Sequence, residues 1–211
     1  MLTSFLIIFV LLVKKAIPSP ASPLCSSEPP TPATTPSKSC QIAWATEIHL
    51  LNSRYPNITL PESWYNMVLR TPDTEVVTQI QFDDIPANAS ECQLELYLPE
   101  TDMMTAHGPN PVIDIRQVSR EPSAPATYET FVGHNTSEND TFGSLNLSPP
   151  QVRDYKKGGN RISINRTPCN KTLTFQVSFA TPGEESPNYW GFVNVNPPYN
   201  PFQGWRITHS C

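Results

Sequence analysis

Leu173-Thr174-Phe175-Gln176-Val177-Ser178-Phe179 places an apolar residue at every second position, with polar residues between. Side chains of an extended strand point alternately to opposite faces, so this segment reads as a strand with one buried and one wetted face. The pattern recurs at Cys92, Leu94, Leu96 and Leu98, at Val76, Thr78, Ile80 and Phe82, and at Trp205, Ile207, His209 and Cys211. Weaker strands are readable at Ile42 to Ile48, Val112 to Val118, Tyr128 to Val132, Phe142 to Leu147, Arg161 to Asn165 and Phe192 to Val195. Turn formers separate them: Pro86-Ala87-Asn88, Gly108-Pro109-Asn110, Gly158-Gly159-Asn160 and Pro182-Gly183. Glu62 to Leu69 is the one stretch that could offer a helical turn or two. About eight to ten short, half-polar strands with no long helical pattern predict an all-β fold, an antiparallel β-sandwich.

The N-terminal segments carry an address. Leu2 to Val13 is an apolar run the length of a signal-peptide core and too short to span a bilayer, which takes about twenty residues. A signal peptide is expected over residues 1–21, with cleavage after Ala21, leaving a secreted chain without stable membrane insertion. Residues 22–39 form a Pro/Ser/Thr-rich linker: Pro18 to Ser39 holds seven prolines and almost no apolar bulk. The domain then runs from residue 40 to 211, long enough for one core.

Seven Asn-x-Ser/Thr sequons agree with export: Asn57, Asn88, Asn135, Asn139, Asn146, Asn165 and Asn170. Fifteen asparagines in a chain with about a fifth Ser and Thr should give about three by chance. An excess fits the secretory pathway, where the glycan is attached. Asn146 and Asn165 have a proline directly after the sequon, Pro149 and Pro168, and should be less fully occupied.

Five cysteines in an exported chain imply disulfides. Cys25 lies in the linker, so Cys40, Cys92, Cys169 and Cys211 are the even set within the domain. With Cys92 and Cys169 opening strands and Cys211 closing one, Cys211 is expected to meet Cys92 or Cys169 rather than Cys40. The net charge of −5, without a cationic stripe, excludes a nucleic-acid partner.

The stretches Ile80-Gln81-Phe82-Asp83-Asp84-Ile85-Pro86 and Cys92-Gln93-Leu94-Glu95-Leu96-Tyr97-Leu98-Pro99 resemble the start of the fungal But-two C-terminal domain. That family is named after a protein that binds the catalytic subunit of a ubiquitin-like-activating enzyme. The resemblance continues through Cys169 and the alternating strand to Phe179, and closes on Gly204 to Cys211. It covers about Glu75 to Cys211. It implies a fungal β-rich domain, often exported and glycosylated, with no catalytic residues to carry over. A lumenal domain never meets a cytosolic activating enzyme, so that partner is not expected here.

No residue set supports a catalytic assignment, and no metal or cofactor is expected. The nucleophile elbow, the zinc-protease pattern, the phosphate-binding loop and the dinucleotide fingerprint are all missing from the sequence. Adjacent Asp83 and Asp84 point to opposite faces of a strand and read as turn formers. Glu95 and Asp114 lie on strands that could share a groove. The best site candidate is Pro187 to Trp205, where aromatics alternate with Asn and Pro. Ring faces can stack on sugars while Asn amides bond hydroxyls, which nominates Tyr189, Trp190, Tyr199 and Phe202 as ligand-binding residues. Trp205, in register with Ile207, belongs inside. The expected role is an extracellular or cell-wall-associated binding or structural module contacting cell-wall or host polysaccharide. The alternatives are a secreted glycoside hydrolase whose acids converge only in the fold, and a modulator that binds an extracellular host protein.

Overall fold

Two antiparallel sheets make up the fold in a computed structural model that describes residues 39–99, 104–120, 124–134, 141–180 and 188–211. The expected signal peptide, Cys25, nearly all of the linker, Asn135, Asn139 and the Pro182-Gly183 turn lie outside the described residues. In chain order the strands are β1 (Gln41–Trp44), β2 (Glu47–Asn52), β3 (Tyr65–Thr71), β4 (Thr74–Phe82), β5 (Cys92–Tyr97) and β6 (Thr105–His107). They continue with β7 (Val112–Val118), β8 (Gly143–Asn146), β9 (Arg161–Thr167), β10 (Leu173–Phe179), β11 (Asn188–Val193) and β12 (Gly204–His209). Two short helices, α1 (Tyr128–His134) and α2 (Pro149–Lys157), flank β8. The smaller sheet runs β1-β12-β5-β9; the larger runs β6-β11-β3-β4-β10-β7-β8, with β2 paired to β4.

The sheets bury their inner faces against each other. Phe175 and Val177 of β10, Ile80 and Phe82 of β4, and Trp190 and Phe192 of β11 come from the larger sheet. Leu94 and Leu96 of β5, Ile162 of β9, and Trp205 and Ile207 of β12 come from the smaller one. All are buried in one continuous core, a β-sandwich in which Trp205 sits inside as its register with Ile207 predicts.

β10 and most of β4 are buried on both faces, not on one. The polar face of β10 is central in its sheet, and its amides answer each other: Gln176 Nε2 donates to Gln79 Oε1 at 3.1 Å. Farther along that outer face, Leu51 and Val77 meet Ala126 and Phe131 beneath α1.

Three local expectations are corrected. Tyr128 to Val132 is helical, because Thr127 and Thr130 cap reciprocally: each backbone N–H donates to the other's hydroxyl, at 3.1 and 3.2 Å. Glu62 to Leu69 gives no helix; from Tyr65 it becomes β3, whose buried positions include Asn66 and Arg70, so apolar periodicity concealed the strand. Arg70 is tolerated there because Nη2 reaches Glu75 Oε1 at 2.7 Å and the Phe179 carbonyl at 3.2 Å. Ile42 to Ile48 divides into β1 and β2, which join different sheets. α2 has no apolar stripe to announce it, with Val152 its buried residue; it opens on Pro149-Pro150 and closes on Lys156-Lys157, each favourable at its own end.

The cysteine pairing also differs. Cys40 bonds Cys211 and Cys92 bonds Cys169, with Cα atoms 4.2 and 5.1 Å apart. β1 runs antiparallel to β12 with Gln41 opposite His209, so Cys40 at the start of one meets Cys211 just past the end of the other. Cys169 does not open β10, although its place before the alternating run suggests so. It instead follows the end of β9, where Thr167 lies opposite Cys92. The rule that a strand's end faces its neighbour's start holds for both bridges; the strand each cysteine belongs to decides the partner.

Non-reducing peptide mapping should recover the 40–211 and 92–169 linkages. Replacing both Cys92 and Cys169 with Ala should lower unfolding free energy by about 3–5 kcal/mol in urea titrations. A 92–211 linkage would contradict the fold.

Candidate functional site

The outer face of the small sheet is assembled by register. Trp44 on β1 lies opposite Arg206 on β12, and Arg206 lies opposite Glu95 on β5. Sending Trp205, Ile207, Leu94 and Leu96 inward turns Arg206, Thr208, Glu95 and Tyr97 outward. Arg206 Nε donates to Glu95 Oε2 at 3.0 Å, and Thr208 Oγ1 donates to Oε1 at 3.2 Å. Arg161 Nε stands 3.7 Å from the same carboxylate. Glu95 is therefore only 2% exposed, although it faces away from the core. The Arg206 guanidinium lies 4.6 Å over the Tyr97 ring and 5.8 Å from Trp44. Trp44 meets Tyr97 edge-on at 6.4 Å and Phe202 at 6.0 Å. A cation is thus fixed between two rings, with a third ring beside them and exposed Ile42 on the same edge strand.

The loop that delivers Phe202 is tied down by asparagine side chains. Asn194 Oδ1 accepts from the Trp205 N–H at 3.1 Å, and Asn194 Nδ2 donates to Asn196 Oδ1 at 2.7 Å. Asn196 Nδ2 then donates to the Ala45 carbonyl at 2.8 Å, fastening the loop to the end of β1. Gly204 makes this possible: its φ is 137°, and a Cβ there would stand 1.7 Å from Asn194 Oδ1. Asn194 and Asn196 therefore hold the loop in place, and Asn194 is buried beneath it.

The four nominated residues separate. Tyr199 and Phe202 are exposed at 68% and 37% on that loop. Trp190 is wholly buried, 6.2 Å from Trp205, because alternation along β11 turns it inward, away from any surface ligand. Tyr189 points outward from the larger sheet and shares a hydrogen bond with the Tyr65 hydroxyl. Burial, then that bond and the Tyr65 charge, push the Tyr189 phenol up to about 12. Sequence reasoning missed Trp44, Tyr97 and Arg206. Trp44 and Tyr97 do stand at outward positions of readable strands, but their meeting depends on cross-strand register, which sequence does not display.

Glu95 and Asp114 do not share a groove. Glu95 is on the outer face of the small sheet, and Asp114 is on the outer face of the large one, where Ser144 Oγ donates to it at 2.5 Å. Asp84 is exposed with φ of 58°, in keeping with a turn. Asp83 accepts from Thr46, Gln81 and Thr172, each at 2.9 Å. Burial opposes its ionisation, but those bonds and the Arg120 charge outweigh burial and hold the carboxyl below its ordinary range. Such a group is a poor proton donor. Among the described residues, no three His, Cys, Asp or Glu side chains are grouped to hold a metal ion. His49 and His209 are both buried; His49 lies 3.3 Å from Glu47 Oε2, and His209 lies 3.2 Å from Ser210 Oγ.

No family model matches the chain, and no curated protein matches it.

Two measurements check this geometry. Arg206→Ala strands a buried carboxylate and should destabilise by on the order of 3 kcal/mol, with less than additive loss when combined with Glu95→Ala. Asp83, with its pKa lowered by folding, contributes stability above the unfolded value of about 3.9 and loses it as pH falls through the folded one. In urea midpoints recorded from neutral to acid pH, Asp83→Asn should flatten this part of the decline.

Proposed function

We propose that this chain is an exported, N-glycosylated β-sandwich acting as an extracellular or cell-wall-associated binding or structural module. The face built on Trp44, Tyr97, Arg206 and Phe202 is its contact for polysaccharide. One observation carries the binding half of the reading: Arg206 is held against Trp44 and Tyr97 by Glu95, with Phe202 beside Trp44 and Tyr199 exposed on the loop that carries Phe202. Rigid ring faces suit the CH faces of sugars, while the fixed guanidinium can serve hydroxyls or an acidic substituent. Little ordering entropy remains to be lost on binding, because Asn194, Asn196 and Gly204 already set the loop.

Export is supported by the N-terminal apolar run, the sequon excess and two disulfides, which suit an oxidising compartment. Asn57, Asn88, Asn146, Asn165 and Asn170 are all exposed, as glycan carriers must be. Among the described residues, no helix is long and apolar enough to cross a membrane. The resemblance to the fungal But-two domain agrees with this reading and supplies its biological setting.

A polysaccharide pull-down with protein secreted from a eukaryotic host tests the proposal. With stacking worth about 1 kcal/mol per ring, Tyr199→Ala with Phe202→Ala should weaken retention about tenfold or more without lowering thermal stability. Unchanged retention on every cell-wall polymer that binds the parent would leave the loop purely structural. Site-resolved mass spectrometry of the same material should find Asn146 and Asn165 less occupied than Asn57 and Asn88.

A further inference from the structure

A polar cleft of about 360 Å³ opens where the end of β7 passes the start of β10. Asn170 forms part of its wall, together with Val118, Ser119, Arg120, Thr172 and Thr174. Asn170 and Thr172 are the first and third residues of a sequon, so the acceptor asparagine stands in the wall of a ligand-sized cavity. The sequon is held firmly. Cys169 is bonded to Cys92, the Lys171 carbonyl accepts from the Ile85 N–H at 3.1 Å, and Thr172 Oγ1 donates to Asp83 Oδ1 at 2.9 Å.

We infer that this cleft seats the proximal N-acetylglucosamine of a glycan on Asn170, an intramolecular ligand attached at the rim of its own site. The inference rests on the reading of this chain as an exported glycoprotein. The wall has the mixed chemistry that an acetamido sugar needs. Val118 offers an apolar side for the acetyl methyl, and the hydroxyls of Ser119 and Thr174 can exchange hydrogen bonds with ring hydroxyls. Arg120 is positioned in advance. Its Nη1 donates to Gln81 Oε1 at 2.6 Å, its Nε donates to the Ala124 carbonyl at 3.1 Å, and its Nη2 donates to that same carbonyl. Those three bonds use three of its five N–H groups, and Glu47 Oε2 stands 3.8 Å from Nη1, which leaves the second Nη2 hydrogen for the acetamide carbonyl. Affinity for a free monosaccharide need not be high, because a covalent tether supplies an effective concentration in the millimolar range. A seated sugar also caps the Arg120, Gln81 and Asp83 cluster at the mouth of the larger sheet's polar outer face.

The test is native-state release of glycans from the full chain by an endoglycosidase, followed site by site by mass spectrometry. The seat predicts release at Asn170 at least about tenfold slower than at Asn88, and equal rates after unfolding. Ser119→Trp fills the cleft from an exposed position and should bring the native rate at Asn170 up to that at Asn88. Equal native rates in the parent, or slow release that persists in Ser119→Trp, overturns the seat while leaving the glycoprotein reading intact. Sugar at the other sites with Asn170 bare also overturns the seat alone. Sugar at none of the sites overturns both.

Discussion

The edge-to-face contact of Trp190 with Trp205 is the constraint on which the remaining structure depends. One indole comes from β11 in the larger sheet and the other from β12 in the smaller, and neither touches solvent. Such a pair contributes about 0.5–1.5 kcal/mol beyond the area it buries. Its larger consequence is directional. With Trp205 inward, period two fixes Arg206 outward, and antiparallel register then fixes Trp44 and Glu95 beside it. The outer site is therefore set by the inner packing, one residue out of phase.

The two outer faces have been put to different uses. On the large sheet the outward residues of β4 and β10 are buried, partly beneath α1, and Gln176 and Gln79 bond to each other across the two strands. On the small sheet Trp44 and Tyr97 stay partly exposed, and the ion pair of Glu95 with Arg206 beneath them holds the rings in place. Buried ion pairs add little net stability compared with apolar replacements of the same shape. Arg206 and Glu95 make more sense as a device that fixes ring geometry than as a contribution to folding.

Much of the fold was legible in the sequence. β10 and β7 begin and end where alternation begins and ends, because a strand inside a sheet must send every second side chain to the core. The failures have local causes. Tyr128, Thr130 and Val132 alternate like a strand, yet the Thr127–Thr130 cap favours a helix once the segment docks on Leu51 and Val77. Asn66 and Arg70 occupy buried positions of β3 that an apolar count passes over. Cys169 lies in the short connection between β9 and β10, so sequence alone does not say which strand it accompanies. At the site, Tyr199 and Phe202 were legible as candidate contacts, because the run from Pro187 to Trp205 sets rings among Asn and Pro. Trp44 and Arg206, 162 positions apart in the chain, could not be joined without the β1–β12 pairing.

The four tryptophans, Trp44, Trp64, Trp190 and Trp205, supply internal reporters for the central claim that the small sheet's outer face is the polysaccharide contact. Their indole N–H resonances can be followed while soluble cell-wall oligosaccharides are titrated into the folded protein. The account predicts a saturable shift at Trp44, with Trp190 and Trp205 in the core and exposed Trp64 unmoved. Movement at Trp64 alone, or at none of the four, would contradict it.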